Sequence, residues 1–133
     1  MFARVFVGAV AVTAIAWLGL NLRNLDRFED GERLALAQDA APAHVDQAAR
    51  LLEDSRFLNP DTRPMLSKGA LLVARGNGRA REGLALLEEA VRREPDNVVA
   101  WGVLAAATRR LDPARSRAAR ERARELSPPV DPE

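Results

Sequence analysis

Cysteine and tyrosine are absent from this chain of 133 residues, histidine occurs once (His44), and Lys68 is the one lysine among twenty basic residues. Without thiols there is no disulfide, no thiolate metal site and no cysteine nucleophile. His44 has no second imidazole to share a metal and reads as a solvated helix-start residue. Alternating apolar–polar runs are missing too. Apolar residues recur at three and four positions rather than two, so strands are not expected. Adjacent carboxylates such as Glu53-Asp54 and Glu88-Glu89 point apart on a helix. Gly76-Asn77-Gly78 with Gly83 fails the spacing of a phosphate loop and follows a helix where a strand is required. No nucleophile, base and orienting group can be assembled. The chain reads as a non-enzyme, with no catalytic residue, metal or cofactor expected.

What the sequence does have begins with an apolar run. Val5 to Leu22 carries no charge, and nine of its 18 residues are Leu, Ile, Val or Phe. As a helix it would span roughly 27 Å, close to a bilayer's ~30 Å hydrocarbon core. Trp17 suits an interface and Arg4 can snorkel at the other end. A transmembrane anchor is therefore expected over residues 1–23, followed by an amphipathic juxtamembrane helix or linker over 24–41. The rival reading, a cleaved signal peptide, needs a small-x-small site just after the apolar region. Ala14-Ile15-Ala16 would bisect that region and Ala35-Leu36-Ala37 lies beyond a charged stretch, so the anchor is preferred. The expected location is the inner (plasma) membrane in a single pass. Arg23, Arg27 and Arg33 against Arg4 lean the remainder towards the cytoplasmic face.

Charge is uneven along the chain. Asn24 to Thr62 holds nine acids against four arginines, and Arg109 to Arg124 holds seven arginines against Asp112 and Glu121. Helix punctuation is clear in between. Pro42 opens a helix with Val45, Ala48, Ala49 and Leu52 on one face. Asn59-Pro60-Asp61 stops it and supplies Asp61 or Thr62 as the next cap. Helices are then predicted over Arg63 to Arg75, Arg79 to Arg93 and Asn97 to Arg110. A last one runs from Asp112-Pro113 to about Leu126. Gly76-Asn77-Gly78 is a tight turn, and residues 127–133 form a flexible tail.

Asn59-Pro60, Glu94-Pro95 and Ser127-Pro128 each close a helix, 35 and then 33 residues apart. A helix–turn–helix unit of that period resembles the tetratricopeptide repeat, in a bacterial membrane-anchored form. In the unit 64–97, Gly78 falls in the turn, Gly83 takes the place of a small Ala, and Leu87, Ala90 and Pro95 match downstream positions. In the unit 98–129, Trp101, Leu104, Ala105 and Ala123 match. Aromatics of the family are replaced by Ala74, Thr108 and Arg120. A degenerate unit precedes these, its first helix growing from the apolar run and interrupted at Gly31.

The fold class implied is all-α: an N-terminal transmembrane helix and a helical array over 42–126. The resemblance implies a scaffold for protein–protein interaction, in the setting of bacterial envelope assembly. The alternative is a small structural subunit packed permanently in a larger membrane complex. The family's groove positions fall on Met65, Lys68, Leu72, Arg75, Val99, Gly102, Ala106 and Arg109, an apolar floor with three cations that suits a protein segment carrying acidic residues. A second candidate is the basic surface of Arg115, Arg117, Arg120, Arg122 and Arg124, either a solvated cap or a contact for an acidic partner or anionic lipid. No nucleic acid is expected, and self-association is open.

Overall fold

A computed structural model describes residues 2–37, 41–57 and 59–127, with side-chain surroundings from Thr13 onward. It contains six α-helices: α1 (Phe2–Leu36), α2 (Pro42–Asp54), α3 (Arg63–Arg75), α4 (Ala80–Arg93), α5 (Val98–Thr108) and α6 (Pro113–Leu126). No strand occurs among the described residues. The all-α expectation holds, and the transmembrane part of it does not. Among the described residues no helix is long and apolar enough to cross a membrane. The part of the apolar run before Thr13 lies outside the residues whose side chains are described. The part within them, Thr13–Leu22, amounts to about 15 Å of helix against a ~30 Å hydrocarbon core, and Arg23 follows at once. The expected anchor over 1–23 is corrected accordingly, and with it the single-pass placement.

Nor is there a separate juxtamembrane element. α1 is one helix of 35 residues, and Gly31 does not interrupt it. That glycine lets α2 come close: a Cβ at Gly31 would stand 2.9 Å from Leu52 Cγ. Asn24 fastens the same helix to the α2–α3 connection, its Nδ2 donating to Phe57 O at 2.6 Å. α1 and α2 thus pack as a helix pair. Residues 128–133, most of the expected tail, lie outside the described residues.

The helices associate as three successive pairs, α1 on α2, α3 on α4 and α5 on α6. Each second helix also packs on the first helix of the next pair, α2 on α3 and α4 on α5. The first helices touch one another more lightly, α1 on α3 and α3 on α5. Two apolar clusters result. Phe28, Val45, Ala48, Leu52, Leu71 and Leu72 join α1, α2 and α3. Met65, Leu66, Leu87, Ala90, Leu104, Ala105 and Ala119 join α3 to α6. α3 belongs to both, so it ties the first pair to the rest.

Local chemistry sets the boundaries. Asn77 (φ 42°) and Gly78 (φ 90°) make the α3–α4 turn in the left-handed region. Asn97 caps α5 by accepting from Ala100 N, and Asp112 caps α6 by accepting from Arg115 N. Pro42 and Pro113 sit in first turns, where a missing N–H costs nothing. Thr62 precedes α3 without a side-chain cap bond. Asp61 accepts from Arg63 N instead, at 2.9 Å.

Candidate functional site

The first helix of each pair contributes its C-terminal turns to one surface. A cleft of about 270 Å³ lies between Glu32, Ala35 and Leu36 of α1 and Ala70, Ala74 and Arg75 of α3. A second, of about 540 Å³, lies between Ala70, Val73 and Ala74 of α3 and Val103, Ala106 and Ala107 of α5, closed off by Arg109, Arg110 and Leu111. Ala70 and Ala74 line both, so the two clefts form one trough across three helices. Its floor is built of alanine and valine, which is why it is hollow. Leu36, 77% exposed, and Leu111, 55% exposed, stand at its two edges.

Charge is graded along the trough. At the α1 edge is Glu32, whose Oε1 accepts from Ser67 Oγ at 2.7 Å. At the α5 edge are Arg109 and Arg110, both exposed and with no ion pair among the described residues. Arg75 donates to the Ala37 carbonyl and holds the end of α1 against α3. The trough offers apolar contact along its length, a carboxylate at the α1 edge and a cationic end on α5.

The sequence-derived groove residues separate into two sets. Ala106 and Arg109 line the trough, Arg75 borders it, and Val99 and Gly102 are exposed on α5. Met65, Lys68 and Leu72 do not reach it, being 1%, 9% and 1% exposed. Counting back from the closing prolines rotates α3 wrongly. Its contact with α4 is centred on Gly69 and Gly83, where a Cβ on Gly83 would stand 2.6 Å from Gly69 O. In the next pair Ser116 Oγ donates to Ala105 O at 2.7 Å. Gly69 to Ala105 is 36 residues (105 − 69), not the 34 implied by the repeat period. Ala70, Val73 and Ala74 were missed for that reason; Arg110 is the residue next to Arg109, beyond the end of α5. The mid-helix Gly69 was the available signal.

Lys68 has a different role. Its Nζ donates to Glu53 Oε2 of α2 at 2.8 Å and lies 3.6 Å from Glu82 Oε1 of α4. Burial works to raise the Glu53 carboxyl, but the hydrogen bonds and charges of Lys68 and Arg56 outweigh it and hold it below its usual value. Glu82 is held low chiefly by its hydrogen bond from Arg79, against a smaller effect of burial. This cluster is a brace between helices.

The basic surface on α6 also divides. Arg115 pairs with Glu88 at 2.7 Å, and Arg122 pairs with Glu125 at 3.0 Å and reaches Asp96 at 3.6 Å. Arg117, Arg120 and Arg124 are exposed and make no ion pair among the described residues. No protein-family model, no curated protein and no solved structure matches this chain.

Proposed function

We propose that the chain is a helical-repeat interaction module of the tetratricopeptide kind, holding a segment of another protein in the trough across α1, α3 and α5. The observation that carries this reading is the hollow floor of Ala70, Ala74 and Ala106 ending at Arg109 and Arg110. Alanines leave room for a partner's larger side chains, and burying these supplies about 25 cal/mol per Å². The two arginines favour a partner with acidic residues beside its apolar ones, and add more to orientation and capture rate than to raw affinity.

Selection of a displayed random-peptide library on the full chain tests this. Bound peptides should combine apolar residues with Asp or Glu. Ala74→Trp fills the shared floor and should abolish their binding, while Arg109→Glu with Arg110→Glu should weaken acidic peptides selectively. Failure to select any peptide, or peptides indifferent to both variants, would remove the reading.

A further inference from the structure

We propose that copies of this chain stack head to tail, the α5–α6 end of one copy receiving α1 of the next. The two ends of the array are complementary in both charge and apolar surface. On α6, Arg117, Arg120 and Arg124 lie at i, i+3 and i+7 on one exposed stripe, unpaired among the described residues. Of the two acids on that helix, Glu125 is engaged by Arg122, and Glu121 stands exposed beside the stripe, leaving it net cationic.

Beside this stripe, α5 is apolar on every side (VVAWGVLAAAT). A helix apolar all round belongs in an interior. Yet Val99 is 65% exposed, Ala106 is exposed, and a Cβ on Gly102 would meet nothing within 4 Å. Val99 and Gly102 lie at i and i+3 ahead of Ala106, where the trough begins, so this end presents uncovered apolar surface as well as a cationic stripe.

At the other end, α1 buries Asn24, Phe28 and Gly31 and turns Leu22, Leu25, Asp26 and Glu29 outward. Leu22 and Leu25 are 56% and 48% exposed. Asp26 and Glu29 make no ion pair among the described residues, nor does exposed Arg23 three positions before Asp26, whereas neighbouring Asp30 is taken by Arg33 at 3.0 Å. The chain's own packing shows how such surfaces meet. Each first helix rests on the second helix of the preceding pair and touches that pair's first helix. A neighbour's α1 seated on α6 and α5 repeats that arrangement, with Asp26 and Glu29 towards the arginines and the leucines over the apolar surface of α5. Since donor and acceptor faces differ, the contact does not close on itself and can propagate.

The test uses full chains in a non-ionic detergent that covers Ile15, Trp17 and Leu18, with an affinity-tagged copy asked to retain an untagged one. Wild type should retain wild type, less so as salt rises, because exposed pairs are screened over ~8 Å at physiological ionic strength. The reversal Arg117→Glu, Arg120→Glu, Arg124→Glu should lose retention of its own kind, and so should Asp26→Arg with Glu29→Arg. Mixing the two reversed chains should restore it, since every junction in an alternating stack is then of opposite sign. Recovery on mixing also shows that both variants fold. A wild type that never retains itself, retention indifferent to either reversal, or no recovery on mixing would each overturn the proposal. Capture of an added acidic peptide on α6 by a chain that stays single would overturn it as well.

Discussion

Lys68 joins three helices through one ammonium group, with Glu53 on α2 and Glu82 on α4 as its partners. Lys68→Met keeps the buried stem and removes the charge, leaving Glu53 with Arg56 alone. Because both carboxylates are partly exposed, the loss should be modest, about 1–2 kcal/mol, read as a lower urea midpoint at unchanged slope. The pH dependence has a definite sign. Both carboxyls sit below their usual 4.5 in the folded chain. Their contribution is therefore complete above that value and falls away as pH drops through the lowered ones. Lys68→Met should flatten this acid-side decline. Trp101 is a second sensitive residue. Its Nε1 donates to Pro95 O at 2.8 Å, and its ring is half-buried beside Val91 and Leu104. Trp101→Ala should cost about 2–4 kcal/mol, less than the ~3–5 kcal/mol of a fully buried large aromatic, because the indole is not fully enclosed. A thermal melt measures it.

Between helices, the tightest approach is α3 on α4. A Cβ on Gly69 would come within 2.7 Å of Leu87 Cδ2 and 2.9 Å of Gly83 O. Alanine is the better helix former by about 1 kcal/mol, so a free helix would gain from Gly69→Ala. Here the clash with backbone outweighs that gain, and the variant should be less stable by about 1–3 kcal/mol in denaturant titration. The helices themselves were legible from caps and periodicity: a helix over about Arg63 to Arg75 follows from Asp61, Pro64 and the Gly76-Asn77-Gly78 turn that bracket it, and the structure has it there. The rotation of α3 was not. Proline spacing counts residues along the chain, whereas Gly69 fixes which face turns inward, and the connecting turns absorb the difference. Gly31 shows the same thing. Read as a break in α1, it is the place where Leu52 sits closest.

At the scale of the whole molecule, three stacked pairs make each contact a neighbour contact, as in other quasi-linear arrays. Charge is uneven between the outer helices: α1 carries as many acids as arginines, whereas α6 carries five arginines against Glu121 and Glu125. The trough was half legible: Ala106 and Arg109 on α5 could be placed from the repeat resemblance, while the α3 part of the floor, Ala70 and Ala74, could not, since alanines carry no signal of facing inward or outward. The brace at Lys68 has a practical corollary in labelling chemistry. The chain's one ε-amine has a side chain only 11% exposed and engaged by carboxylates. Acylation at Lys68 should therefore be slow in the native state and limited by separation of α2 from α3 and α4. In Glu53→Ala the modified tryptic mass should accumulate faster. A single acylation site thus becomes a built-in clock for how often the first helix pair parts from the rest.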